Sequence, residues 1–595
     1  MDAHIPVWDL AGLYPSLDHP SLSAALDQAE AAFTALEDQA GRPEASQGSH
    51  VADLLAAFDQ AALAFSDSAA YVSLKAMVEP PSAALSRQSV RVSAIKLRQD
   101  QLWTRLLELL KAVPDPEALF VARPDLAPYR YPVEEFSRLS AHRPPAPVRE
   151  AITAMQQTGG QGWLRLRNQL DGAAAAPLRP GETPLPLAQL RGLAASPQRE
   201  TRRLAYEAEQ RLYPTYAVPM AACFNGIKGE ALTELSWKAY SSVEAEMLDI
   251  NKISAQTLQS MFAAIEGHLP HFRRYLRQKA AALGCPNGLP WYDLLAPMEG
   301  IPAGFSFAQA SEMLVGALDS FSPEIGALAR RALDNGWIDA LPAAGKQGGA
   351  ICVDLPARRE NRVLLSYSGT FRCIRTMAHE LGHAYHARCL DAIPLLLRDA
   401  PTPICETASL MNEVVFQSKT LEQLPAQQRF PLLECDLQEC TQTVLDIYSR
   451  YLFEREVFAL RAQRELLPED FCRLMTDAQK AVFGDALDPQ VLHPYMWMCK
   501  VHYYIPEYHY YNYPYIFGLL LAKGLYARYL AQPDGFPQAY RQLLAATCSG
   551  SMEDIAAKAG VDIRSQAFWD SALDLIVKDI DAWISWSREG GGSFS

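Results

Sequence analysis

The five residues His379-Glu380-Leu381-Gly382-His383 constrain this chain more than any other stretch of it. Two histidines four positions apart act together only on a helix, where about 3.6 residues per turn bring both imidazoles to one face. Both rings then reach one ion, and Glu380 stands beside a water bound there. Ile374, Ala378, Leu381 and Tyr385 form an apolar stripe on the other side of the same helix. Such a helix is anchored in a core on one side and faces a cleft on the other. His386 lies seven residues past His379, about 10.5 Å along the axis. Metal–nitrogen bonds are only about 2 Å long, so His386 is read as a supporting or structural residue. The longer zinc pattern HExxHxxGxxH is absent, because position 386 is His rather than Gly and position 389 is Cys rather than His.

A catalytic zinc takes three protein ligands and keeps one position open. The best candidate for the third ligand is Glu406, in Pro403-Ile404-Cys405-Glu406-Thr407-Ala408-Ser409. Pro403 opens a helix and Glu406 falls in its first turn. A His-His-Glu set with an open position lowers the pKa of a bound water to roughly 7. Glu413 follows about two helical turns later and suits a carboxylate that orients one of the ligand imidazoles.

The rest of the chain excludes several function classes. Its formal net charge of -14 argues against a basic nucleic-acid surface. Residues Met1 to Trp8 carry no cationic stretch followed by an apolar run, so no secretory signal is expected. No run of about 18 apolar residues is present, so no membrane span is expected either. The eleven cysteines are scattered without a CxxC pair, which suits reduced thiols in a cytoplasmic protein. Cys373, Cys389 and Cys405 lie near the motif and are read as packing residues.

Leu22 to Leu36, Val51 to Phe65 and Ala83 to Val113 carry apolar residues at helical spacing and suit a hairpin or bundle. Further helices are expected from about Ser196 to Thr233, from Ser254 to Leu283, and from Phe371 to near the end. Pro-rich breaks at Arg143–Pro147 and Pro177–Pro186 suggest lobe boundaries. The expected division is a helical N-terminal lobe over 1–185, a catalytic lobe over 186–588 and a frayed tail over 589–595. One β signal stands out. The runs Ala350–Leu355 and Arg362–Tyr367 flank a polar turn and read as a hairpin.

Eight of the 25 tyrosines fall between His493 and Phe517. Aromatic residues of this density usually pack a core, but here they carry hydroxyls and two histidines accompany them. Peptide hydrolysis needs donors for a tetrahedral oxyanion, which a Tyr hydroxyl or a His N–H supplies.

At these residues the chain resembles a known family. The stretches His379 to His386, Glu406 to Glu413 and Tyr510 to Gly518, together with the opening Trp8-Asp9-Leu10-Ala11-Gly12-Leu13-Tyr14-Pro15, look like oligoendopeptidase F, of the thimet oligopeptidase family of zinc metallopeptidases. The resemblance implies a mainly α, two-lobed, clam-like fold. It also implies a small β-sheet beside the active-site helix and a deep channel that admits short peptides. It implies one Zn2+ ion on His379, His383 and Glu406, with Glu380 as general base. His502 and Tyr511 keep the spacing of the family's transition-state His and Tyr, and Tyr508 and Tyr515 are further candidates. Pro514 stands where some members have a tyrosine.

The expected activity is metal-dependent cleavage of internal bonds in short unfolded peptides. The strand around Val363 to Tyr367 is a candidate for pairing with the extended substrate. Two alternatives remain at this point, besides a structural zinc protein, whose usual Cys-rich and fully coordinated cluster is not visible in the sequence. One is a zinc carboxypeptidase of related helical fold, a group that carries Arg at the position of Gly382. The other is a peptide-binding protein with a dead site, which would have no need of Glu380.

Overall fold

The computed structural model describes residues 5–589. Helix accounts for 71% of it and strand for 4%, so the chain is mainly α with small sheets. It divides into two compact units, each assembled from three stretches of sequence. The first holds the residues up to Ala141, Ala303–Thr420 and Tyr529–Val561; the second holds His142–Pro302, Leu421–Arg528 and the residues from Asp562 onward.

In the first unit, helices Pro20–Ala40, Gly48–Val78 and Ala83–Lys111 pack against one another. Their apolar periodicity explains this. Leu22, Leu26, Phe33 and Leu36 are buried on one stripe and meet Leu55, Phe58 and Phe65 of the second helix. The Ser82 hydroxyl caps the third helix by accepting from Leu85 N at 3.1 Å. The same core continues into Leu355 and Leu364, so the bundle supports the sheet.

That sheet has three strands. Glu360–Leu364 is central, antiparallel to Ile351–Leu355 and parallel to the two-residue strand Ile338–Asp339. The hairpin read from sequence is present, with Ile351 opposite Leu364 and Leu355 opposite Glu360. Its second strand begins two residues earlier than expected. Pairing of the Val363–Tyr367 stretch with a substrate is ruled out. Val363 N, Leu365 N and Tyr367 N already donate to Trp337 O, Asp339 O and Ala340 O at 2.8–2.9 Å. A two-residue parallel partner from outside the hairpin leaves no hydropathy signal, which is why the sequence does not show it. The three-strand order leaves two outer strands, the two-residue Ile338–Asp339 and the longer Ile351–Leu355.

The second unit is built on the long helices Arg199–Lys238, Ala255–Ala282 and Gln566–Arg588, and on Ala426–Thr441 and Ile447–Arg461. These last two run on through a π-helical turn over Gln442–Asp446. Phe224, Phe453, Phe471, Trp497, Tyr503 and Tyr504 share one core here. The Pro-rich stretch 177–186 does not divide the units. Ala175–Ala176 pairs with Leu185–Pro186 in a short antiparallel turn inside the second unit, and no single linear boundary describes the division. Proline marks a break in a helix whether the chain turns or leaves the unit. From Gly590 onward, the expected tail lies outside the described residues.

Candidate metal centre

The motif lies on helix Phe371–Cys389. Thr370 caps it, its hydroxyl accepting from Cys373 N at 3.3 Å. Ile374, Ala378, Leu381 and Tyr385 are buried, as their spacing requires, while His379 and His383 are half-buried on the other face. His386 is buried too. Its Nε2 lies 2.8 Å from the Thr547 hydroxyl, and burial pushes its pKa down to about 4. It is a neutral structural residue and joins no ligand group.

Glu406 sits at a break in the backbone. Pro403 helps open the short helix Thr402–Cys405, Glu406 ends it, and helix Thr407–Gln423 follows at once. The break turns the carboxylate toward the histidines, and Ser409 Oγ donates to its Oε2 at 2.8 Å. Gly382 makes this approach possible. A Cβ there would stand 2.4 Å from Ala408 O and 2.5 Å from Ser409 Cα, so only glycine lets the two helices touch. Asn412 Nδ2 donates across the same contact to Ala378 O at 3.2 Å.

The three side chains converge. His379 Nε2 and His383 Nε2 are 3.2 Å apart, and Glu406 Oε2 lies 3.3 Å from the first and 3.4 Å from the second. Bonds of about 2.0–2.1 Å to a tetrahedral ion set its donor atoms about 3.3–3.4 Å apart. The triangle therefore fits three corners of a zinc tetrahedron, with the fourth left for water or substrate. Among the described residues this is the one such group of His, Cys or carboxylate side chains. Glu413 Oε1 accepts from His379 Nδ1 at 2.6 Å, and Arg375 Nε lies 3.0 Å from Glu413 Oε2. That fixes the proton on Nδ1 and leaves Nε2 for a cation.

Charge points the same way. Burial works against a charged His379 ring, yet its hydrogen bonds to Glu406 and Glu413 hold its pKa up at about 10. Burial also opposes ionisation of Glu406, but the two histidines and Ser409 hold it far below the usual carboxylate range. The group favours a positive charge at its centre. Glu380 is buried, which raises its pKa against the pull of His379 and His383. The Cys352 thiol, on the outer strand Ile351–Leu355, is pushed well up by burial, with the Glu380 charge adding to it.

All eleven cysteines are free. Cys373 hydrogen-bonds at the helix cap, Cys389 is buried, and Cys405 donates to Thr402 O at 3.1 Å. None joins the metal group.

In the second unit the structure sorts the tyrosine segment into two sets. Tyr503, Tyr504, Tyr510 and Tyr513 are buried core residues. His502, Tyr508, Tyr511 and Tyr515 form a half-exposed cluster. The His502 and Tyr511 rings stack with centroids 4.8 Å apart, Tyr508 meets Tyr511 edge-on at 4.9 Å, and Tyr515 lies 5.9 Å from both His502 and Tyr511. The Tyr508 hydroxyl donates to Asn251 Oδ1. Burial, with Arg450 and Lys500 nearby, pushes the His502 pKa below its usual range, opposed by the neighbouring Asn512 amide.

A helix-borne histidine pair, closed by a carboxylate at the break before the next helix and flanked by a buried glutamate, is a candidate HExxH metal centre in a helical protein. The chain belongs to peptidase family M3, whose family model matches residues 192–575. It is 26% identical over 399 residues to the chromosomal oligoendopeptidase F of Lactococcus lactis subsp. cremoris, covering 65% of this chain and 64% of that relative. The match thus spans slightly less than two thirds of the relative's length. Two solved structures share the fold. One is from Chlamydophila abortus, with a TM-score of 0.84 at 22% identity over 97% of this chain and 98% of that one. The other is oligoendopeptidase-F from Enterococcus faecium, with a TM-score of 0.66 at 19% identity over 96% and 98%. Among the described residues, no helix is long and apolar enough to cross a membrane.

Proposed function

We propose that this protein is a zinc-dependent endopeptidase that cuts internal bonds of short, unfolded peptides. The observation that carries the reading is the three-donor triangle of His379, His383 and Glu406, with its 3.2–3.4 Å edges, beside Glu380 on the same helix. Membership of a peptidase family and the oligoendopeptidase name of the relatives support the substrate class. When bound, the ion would supply Lewis-acid polarisation and a lowered water pKa.

The chain's own groups do the rest. Glu380 takes a proton from the attacking water on its carboxylate and returns it to the nitrogen of the leaving amine. Its burial suits that role, since a raised pKa brings the carboxyl nearer neutrality. His502 and a tyrosine of its cluster, Tyr511 or Tyr508, donate to the developing oxyanion. The outer edge of Ile351–Leu355 aligns the peptide backbone by strand addition. Free cysteines throughout suit a cytoplasmic enzyme.

The test is a quenched fluorescent peptide of about ten residues, blocked at both ends, with product masses read after digestion with and without a chelator. Internal cuts stopped by the chelator and restored by zinc are expected. Cleavage confined to unblocked peptides, one residue at a time from the C-terminus, would replace this reading with a carboxypeptidase. Silence on both substrates with metal bound would leave only peptide binding.

A further inference from the structure

The segment that carries His502 and Tyr511 is irregular. Residues Val501–Tyr504 make a single 3-10 turn, the chain then runs without regular structure to helix Tyr513–Ala531, and Tyr510 holds a left-handed φ of 50°. Such a segment does not fix its side chains by backbone hydrogen bonding alone. Behind it lies an unusual stripe. Asp446, Arg450 and Glu454 are spaced by four along one helical run, and all three are buried. The stripe starts at the last residue of the π-helical turn Gln442–Asp446, a local irregularity that often marks functional sites.

Each charge on the stripe has a defined partner. Asp446 Oδ2 lies 3.1 Å from Arg450 Nε. Arg450 Nη1 donates to Asn512 Oδ1 at 3.0 Å. Because an arginine only donates, this contact settles which way the buried Asn512 amide faces. Asn512 is the residue after Tyr511 and lies near the His502 ring, though neither Asn512 Nδ2 nor His502 Nδ1 makes a hydrogen bond among the described residues. One turn further along, Glu454 Oε1 accepts from the buried Lys228 Nζ at 2.6 Å, and Lys228 Nζ lies 3.1 Å from His509 Nδ1. The segment is thus held at two points, Asn512 and His509, by two neighbouring rungs of one helix. Burying these charges is costly in desolvation, and apolar residues of like size would pack at least as well.

We propose that Asp446, Arg450 and Glu454 are positioning residues that hold the 501–512 segment so that His502 and Tyr511 keep one fixed arrangement as a pair of donors. The inference rests on the proposed peptidase activity for its kinetic arm only.

The test is the paired substitution Asp446→Leu with Arg450→Met, in the full chain. Removing both charges leaves neither unpaired, so the fold is expected to hold, with the unfolding midpoint lowered only by the lost Arg450–Asn512 hydrogen bond. Amide hydrogen exchange is expected to rise within 501–512 and to stay at the wild-type level in helix Tyr513–Ala531. On the blocked peptide, kcat is expected to fall about 100-fold with KM changed less than about threefold, the signature of misplaced groups that act in the transition state. Arg450→Lys, which keeps a charge for Asp446 but has no second nitrogen to reach Asn512, is expected to fall between. If the wild type cuts no peptide, the proposed function fails and exchange alone decides this inference. Wild-type protection of 501–512 in the paired variant, or wild-type kcat in an active enzyme, would overturn it.

Discussion

Glu380 carries no ligand role in the triangle, so its carboxylate can be removed without dismantling the centre. Glu380→Gln keeps the side chain's size and its buried place. It is expected to bind one zinc per chain, read by metal analysis, while kcat falls about 10³- to 10⁴-fold, the scale of a lost general base. Wild-type turnover in that variant would sink the assignment. At this scale the sequence is most informative. His379, His383 and Glu406 are legible because metal chemistry restricts ligand types and helical spacing restricts their faces, and Glu413 follows from the same periodicity. Ser409, Arg375 and Gly382 are not singled out by sequence. Their roles are contacts with atoms of another turn or another helix, and no spacing rule encodes those. Ser409 did carry one signal, three residues past Glu406, where a hydroxyl on a helix looks back at its own first turn.

Helices in this protein matter through where they touch. Helix Phe371–Cys389 meets the start of Thr407–Gln423 at Gly382, and a methyl group there collides with the Ala408 carbonyl. Gly382→Ala is expected to cost roughly 1–3 kcal/mol of stability by overpacking and to weaken zinc binding, because the strain displaces Glu406. Denaturant unfolding and a competitive zinc titration check both effects; an unchanged zinc affinity would show that the helix contact does not set the ligand. The buried end of the same helix has its own pH signature. His386 has a folded pKa of about 4 against about 6.5 when unfolded, so the native state resists its protonation. Stability is then complete above about pH 6.5 and falls as pH drops toward 4, by roughly 3 kcal/mol. His386→Gln keeps a donor for Thr547 and is expected to flatten that slope in urea titrations; equal slopes would contradict it. The helices and the hairpin were legible from periodicity and turn residues. The strand Ile338–Asp339 and the π-helical turn were not, the first because two residues carry no pattern and the second because one extra residue in a helical turn leaves its composition unchanged.

All three side chains of the proposed metal site belong to the first unit, within 371–423. Chelation is therefore expected to lower the unfolding midpoint and to raise amide exchange in Phe371–Cys389 and Thr402–Gln423 before elsewhere. With free zinc about a thousandfold above its dissociation constant, mass action makes the difference about 4 kcal/mol. Exchange that rises evenly over the whole chain would speak against a local metal clamp. The mainly helical class was plain from the sequence, but the division into units was not. Proline breaks report where helices end, and they say nothing about which distant stretches pack together.

That interleaving reaches back to synthesis. The first unit lacks its last stretch until Val561 has been made, and the second lacks helix Gln566–Arg588, whose Trp569 and Trp583 are buried, until later still. A chain still on the ribosome at residue 302 has completed neither unit and exposes the apolar faces of both. Neither unit can therefore be finished before most of the chain has been made, and the usual order of one domain folding before the next does not apply to it.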